Sequence, residues 1–279
     1  MPTSTWLGGS RLTNLLRALG LATALTEFVD PYLDPQTGLL RNLVGARTKE
    51  ELDKVEGDLV FTRLVPLMEQ PVAATGDLRE LRAIHKHLFQ DVYEWAGQLR
   101  TVDIRKNVEG AQYFLPFSMI ERAAGYAAGE LAQESGLRGL GRKQFVDRLA
   151  YHYDQVNYVH PFREGNGRVQ RVFWDRVARG AGWTLDWEDV RGEVNDLASR
   201  AASDQQDFKP LKQMFAAMVT PLVDDPETAG ERAARIARLA FPAPAREAVA
   251  TGPTAPDLDA SSTPPAHAHV RTQRREVER

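Results

Sequence analysis

Twelve consecutive residues, His160-Pro161-Phe162-Arg163-Glu164-Gly165-Asn166-Gly167-Arg168-Val169-Gln170-Arg171, carry most of the chemistry this sequence offers. The imidazole of His160 ordinarily titrates near neutrality and can take a proton from a hydroxyl. Pro161 disfavours helical geometry at His160, so an incoming helix ends there and the imidazole stands at the mouth of a loop. Gly165 and Gly167 free the backbone for positive φ and for close approach to a ligand. The loop then runs into the first turn of a helix, where unpaired N–H groups and the positive end of the dipole favour an anion. Four arginines against two carboxylates give the stretch from His160 to Arg176 a net charge of +2, in a chain whose total is −3. The anion expected there is phosphate. Glu164 would repel it unless a divalent cation lay between them, as magnesium does at nucleotides.

These residues need a frame, and the sequence between about Asp30 and Val223 reads as mostly helical. Thr48, with Glu51 three residues on, caps a helix whose stripe is Leu52, Val55, Leu59, Val60 and Leu64. Asp77 caps a second, with Leu78, Leu81, Ile84, Leu88, Val92 and Trp95 inward and Gly97 closing it. A third spans about Arg142 to Tyr158 and leads to His160; a fourth follows Gly167 and stops at Gly180 and Gly182. One stretch departs from this pattern. Thr101 to Arg105 alternates polar and apolar, Asn107 to Gly110 offers a turn, and Gln112 to Leu115 is extended again, which predicts a β-hairpin. An isolated hairpin is marginal, so it must lean on the helices or serve at its edge.

The remaining features exclude more than they assign. With 279 residues, 43% hydrophobic and 26% charged, the composition is that of a folded soluble chain. No apolar run is long enough for a membrane span, no signal peptide is discernible, and the expected address is the cytoplasm. The absence of cysteine removes disulfides, thiol catalysis and thiolate metal sites. The negative total argues against direct nucleic-acid binding. His85 and His87 are two apart on a predicted helix and share no face for a metal; His152, His267 and His269 receive no role. Trp183 and Trp187 could wall a base or belong to the core. From Pro242 onward the Pro, Ala, Ser and Thr content predicts a disordered tail ending in arginines. The expected organisation is a partly ordered leader over 1–29, a catalytic domain over 30–223, a helical extension over 224–241 and the tail over 242–279.

His160, Phe162, Glu164, Gly165, Asn166, Gly167, Arg168 and Arg171 match every specified position of the Fic-domain signature, and Asp91 to Gly97 extends the likeness upstream. The chain thus resembles the Fic toxin type over roughly Asp30 to Phe215. The resemblance implies an all-α fold, a helical bundle with a β-hairpin flap beside the active-site loop. It implies transfer of AMP from ATP to a Ser, Thr or Tyr hydroxyl of a target protein. In those terms His160 is the base, Glu164 holds magnesium, and Gly165, Asn166 and Gly167 line the anion hole. Arg168 and Arg171 grip the β- and γ-phosphates, Phe162 is a hydrophobic peg, and Phe114 on the flap is a candidate for clamping the target. A Fic-like kinase or other nucleotidyl transferase, a secreted effector and a non-enzymatic binding module are the alternatives. An open Gly167 favours AMP transfer over the kinase.

The resemblance also implies control by a helix bearing Ser or Thr, then Glu four residues on, then Gly or Asn, whose glutamate pairs with the residue corresponding to Arg171. Thr23 with Glu27, Thr184 with Glu188, and Thr272 with Glu276 lack the final residue, and Glu56-Gly57 has Leu52 where the hydroxyl belongs. The expectation is therefore a small separate antitoxin acting in trans through Arg171.

Overall fold

The computed structural model describes residues 28–251 apart from 108–110, 188–189, 191, 224–226 and 238–247. The leader up to residue 27 and the tail after 251, with His267, His269 and the terminal arginines, lie outside the described residues, as does most of the flap turn. The first helix, α1 (Lys49–Glu69), begins where Thr48 accepts the Glu51 N–H at 3.2 Å. Its buried face is rotated from the expected stripe. Leu52, Glu56, Gly57, Val60 and Leu64 are buried, while Val55 and Leu59 are half-buried. A carboxylate thus occupies the second position of an i, i+4 row that is otherwise apolar.

Helix α2 (Leu78–Phe89) is capped by Asp77, which accepts the Arg79 N–H at 2.9 Å. It ends at Phe89 rather than at Gly97. Val92 and Trp95 are buried as expected, but in the turns that follow, and Gly97 closes those turns at φ +82°. Helix α3 (Ile120–Gln133) has no counterpart in the expected set, whereas α4 (Arg142–Val159) and α5 (Asn166–Gly180) fall where the sequence places the helices flanking the loop. Helices α6 (Gly192–Gln205), α7 (Lys209–Met218) and α8 (Ala229–Ala237) complete the bundle, the last within the expected extension. α2 packs on α5, α4 on α7 and α1 on α8, around Phe89, Phe145, Phe162, Phe173 and Trp174. None of the helices among the described residues is long and apolar enough to cross a membrane.

The extended segments are short. β1 (Asp103–Lys106) forms the first limb of the hairpin; the second reduces to a bridge between Arg105 and Tyr113, with the Phe114 N–H donating to the Ile104 carbonyl at 3.1 Å. β2 (Trp183–Leu185) pairs antiparallel with β3 (Val219–Pro221). β4 (Ala248–Thr251) pairs antiparallel with β1, although composition predicts only a disordered tail there.

Buried ion pairs lock this frame and change the meaning of the local charge. Arg163 turns inward to Asp30, with Nη2–Oδ2 at 2.8 Å and both side chains buried. Arg176 is bound by the buried Glu80, and Asp175 takes Arg232 at 2.7 Å and Arg235 at 2.9 Å from α8. The positive excess read from the sequence therefore does not all face one site. Arg168 and Arg171 remain for a ligand, because Arg163 and Arg176 are structural. Removing one member of such a pair strands a buried charge and typically costs about 3–5 kcal/mol. Asp30→Ala should lower stability by about that amount in denaturant unfolding, and a loss under about 1 kcal/mol would show the Arg163 pair to be dispensable.

Candidate active site

His160 caps α4 in a left-handed conformation, φ 43° and ψ 62°. This is a costly place for a non-glycine residue, and more so before proline, where extended backbone is preferred. The sequence foresees the helix end but not this geometry. Arg100 holds it. Its Nε donates to the His160 carbonyl at 2.8 Å, Nη1 to Val102 at 2.8 Å and Nη2 to Val159 at 3.3 Å and to Leu115, while its own N–H donates to the Pro161 carbonyl at 2.9 Å. One buried guanidinium thus ties the base of the flap to the turn that carries the imidazole. Burial lowers its pKa to about 10, which still leaves it charged at neutral pH.

The ring of His160 is fixed from two sides. Nδ1 lies 3.1 Å from the Asn157 carbonyl, an acceptor only, so Nδ1 carries the proton. Nε2 then presents a lone pair and has no protein partner among the described residues. Phe114 stacks on the imidazole, with centroids 3.7 Å apart and planes 12° from parallel. Burial pushes the imidazole pKa down to about 3, and the positive charges of Arg100 and Lys106 add to this. The resting histidine is neutral.

The loop is shaped by packing as much as by the ligand it would serve. Phe162 is fully buried and lies 4.1 Å from the His85 ring, centroid to centroid, so it is a core peg. His85 donates through Nε2 to the Glu164 carbonyl at 3.0 Å and accepts the Gly97 N–H on Nδ1 at 2.8 Å, a structural brace. Gly165 has φ +81°, and a Cβ there would collide with the Phe89 ring, so both conformation and space demand glycine. Asn166 spends its side chain on Phe162, accepting the Phe162 N–H at 2.9 Å and donating to its carbonyl at 2.8 Å. Only its backbone is left for an anion hole. No side chain caps α5, so its first N–H groups are free of a capping acceptor. At Gly167 a Cβ would meet only an Arg171 nitrogen, at 3.8 Å; the hole is open there.

The two motif arginines differ in state. Arg168 lies over the Phe89 ring at 4.7 Å and is paired with Glu56 from α1, with Glu164 at 3.5 Å. Tyr93 donates its hydroxyl hydrogen to the same Glu56. Arg171 lies 5.8 Å from the Trp187 ring and has a buried Nη1 with no partner. Burial and the like charge of Arg168 lower its pKa to about 10. An orphaned buried cationic donor beside an uncapped helix N-terminus is the signature of a place that takes an anion. Trp187 is only 1% exposed and Trp183 stacks on Phe145, so Trp187 belongs to the core beneath Arg171.

Glu164 accepts the Gly165 N–H at 2.9 Å. Burial, then the neighbouring Glu56 carboxylate, push its carboxyl above the ordinary range. A divalent cation fits this crowded negative charge. Among the described residues no three His, Asp or Glu converge to hold a metal by themselves, so a magnesium at Glu164 would draw its other ligands from phosphate and water. Arg100 and Glu56 are the residues that the sequence reading leaves out of the site. The usable signal was available for Glu56: a carboxylate inside an apolar i, i+4 row needs a buried cation.

A profile of the Fic/DOC family matches residues 75–178, from the cap of α2 to near the end of α5. The Protein adenylyltransferase VbhT of Bartonella schoenbuchensis is 41% identical over 170 residues, 61% of this chain, which spans 35% of that protein's length. The Probable protein adenylyltransferase Fic of Escherichia coli is 34% identical over 191 residues, 68% of this chain and 92% of that one. Among solved structures, the N-terminal Fic domain of a VirB-translocated Bep effector protein from Bartonella quintana, with bound ADP, superposes with a TM-score of 0.64 at 26% identity, covering 68% of this chain and 94% of that one. BepC of Bartonella tribocorum, with bound AMPPNP, gives 0.64 at 25% identity, over 68% and 96%. With the signature loop set between two helices, the flap against it and these likenesses throughout, the chain belongs to the Fic/DOC family.

Proposed function

We propose that this protein transfers AMP from ATP to a Ser, Thr or Tyr hydroxyl of a target protein. Its family and its relatives named protein adenylyltransferase make it an enzyme of the nucleotidyltransferase class. The observation that carries the finer reading is the state of His160: a neutral ring whose Nδ1–H is committed to Asn157, leaving Nε2 as a proton acceptor beside an open anion hole. The target hydroxyl gives its proton to Nε2 as its oxygen bonds to the α-phosphorus. The bond from that phosphorus to the bridging oxygen breaks, and pyrophosphate leaves with the electron pair. The backbone N–H groups of Asn166 and Gly167, and that of Gly165 once it leaves Glu164, hold developing charge, and the unpaired Arg171 nitrogen donates to a terminal phosphate oxygen. Arg168 reaches the phosphates by leaving Glu56. Magnesium at Glu164, when bound, neutralises charge on the α- and β-phosphates.

A base with a pKa near 3 is weak in the resting site, but arriving phosphates bring negative charge that raises it. The ADP and AMPPNP in the related Bep structures support a nucleotide in this hole. The open space at Gly167 favours AMP transfer over a Fic-like kinase. The stacking of Phe114 on His160 at the flap supports a role in clamping a target as well as in holding the ring. The unpaired Arg171 is the point at which a glutamate from an antitoxin, acting in trans, would compete with phosphate, and a toxin role accords with that. The Bep neighbours, described as VirB-translocated effector proteins, keep an effector role as the second reading.

Three results are expected. With labelled ATP and cell lysate, His160→Ala should lose protein labelling by ~10²–10⁴-fold and any toxicity on expression, while retaining nucleotide binding; undiminished labelling would end the mechanism. Glu164→Ala should lose magnesium-dependent ATP binding in calorimetry, and unchanged affinity would remove Glu164 from the metal. The acid-side behaviour follows from the depressed histidine. Its proton is absent above the folded pKa and returns only as pH falls towards about 3. A proton NMR titration of the free chain should leave the His160 resonance in its neutral position throughout the range around ~6.5 where an ordinary histidine charges. Titration near ~6.5 would show the ring to be solvated.

A further inference from the structure

β1 has two edges, and both are occupied. On one, the Ile104 carbonyl accepts the Phe114 N–H at 3.1 Å, which assigns the backbone groups of Ile104 to the hairpin side. Strand alternation then turns those of Asp103 and Arg105 to the other side. There β4 lies in register, Asp103 opposite Thr251, Ile104 opposite Ala250, Arg105 opposite Val249 and Lys106 opposite Ala248. The pairing is anchored in the core, since Ile104 is fully buried and Ala250 packs against the same cluster. The limb on the hairpin side carries Phe114, whose ring stacks on His160, so the flap as a whole stands beside the imidazole. An extended segment from the chain's own C-terminal region therefore lies where a strand added from another protein would lie.

We propose that the outer edge of β1 is a site for an extended polypeptide segment, and that residues 248–251 fill it in cis, so that a target reaches the active site only by displacing them. This rests on the reading above that a protein hydroxyl is the acceptor, and adds that strand addition at the flap presents it. Recognition there is by backbone N–H and C=O groups, with side-chain demands confined to alternate positions, which suits both a small, β-branched internal segment (Ala-Val-Ala-Thr) and varied targets. A tethered strand competes at an effective concentration on the order of mM, enough to suppress weak targets without sealing the enzyme.

The absence of native cysteine allows a clean test in the full chain. Lys106 and Ala248 fall on a non-hydrogen-bonded pair, where Cα atoms stand about 4.5 Å apart, within disulfide range. A K106C/A248C chain should form one intramolecular disulfide. When oxidised it should label lysate proteins from α-labelled MgATP at least ~10-fold less than when reduced, with MgATP binding equal in both forms. A V249P/T251P chain, which loses the two ladder N–H groups, should label roughly threefold more than the native chain or better. It should also lose hydrogen-exchange protection at the Asp103 and Arg105 amides. Equal labelling by oxidised and reduced chains, a disulfide that joins two chains, or unprotected Asp103 and Arg105 amides in the native protein would each overturn the proposal while leaving AMP transfer standing. No labelling by the native, reduced or proline-bearing chains, all of which bind MgATP, would overturn the transfer reading and this inference together.

Discussion

Arg100 is the interaction on which the catalytic arrangement depends. A buried guanidinium is tolerated only when its donors are met, and here they are met almost wholly by backbone: Val102 and Leu115 from the two limbs of the flap, Val159 and His160 from the end of α4. Asp103 stands 3.7 Å away as its counter-charge and accepts the Phe117 N–H with the same carboxylate. Each of those carbonyls would otherwise be a poorly satisfied acceptor at an irregular chain turn. Collecting them on one rigid fork fixes the left-handed His160, and through it the direction in which Nε2 points. The flap and the catalytic turn are consequently one mechanical unit rather than two neighbouring loops.

The phosphate site is organised by competition among charges. Glu56 satisfies Arg168, so that one cation is neutral in effect, while the buried Nη1 of the other, Arg171, has no partner among the described residues. Burial, and after it the neighbouring Glu56 carboxylate, push the Glu164 carboxyl upward. In the proposed function a nucleotide with a divalent cation would resolve the mismatch from both sides, giving Arg168 a stronger acceptor and the carboxylates a counter-ion. On the proposed reading, the same charges would favour a metal-bound polyphosphate over a simple anion.

The twelve-residue loop was legible in the sequence because its requirements are local. Gly165 must be glycine for its φ and for Phe89, and Phe162 must be apolar because it is a peg. Helices α4 and α5 were legible for the same reason, as their apolar periodicity and end signals lie within the segment itself. What escaped depends on partners distant in the chain. Arg100 binds carbonyls, which leave no trace in side-chain identity. Arg163 and Arg176 look like phosphate ligands until Asp30 and Glu80, 133 and 96 residues away, turn them inward. Glu56-Gly57 fails the regulatory pattern for want of a hydroxyl at Leu52, yet its glutamate reaches Arg168. A net charge over a segment says nothing about which way each side chain faces. The β4 strand escaped because four small residues in a Pro-rich stretch have no stripe to show; their order comes from the edge they meet.

That edge is constrained more than a free hairpin would be. Ile104 is buried, Lys106 is paired with Asp196 on α6 at 2.5 Å, and Arg100 closes the base, so β1 cannot slide along its partners without exposing an apolar side chain. A one-residue slip in a strand exchanges its two faces, and here it would bring Asp103 or Arg105 into the core position of Ile104. β1 therefore offers a fixed ladder of backbone groups to any segment that pairs with it. On the proposed reading, a target segment held there by backbone contacts would bring a hydroxyl towards His160 while little is required of the residues on either side. Buried Ile104 holds the ladder in place, and recognition through backbone groups is what would tolerate varied sequence.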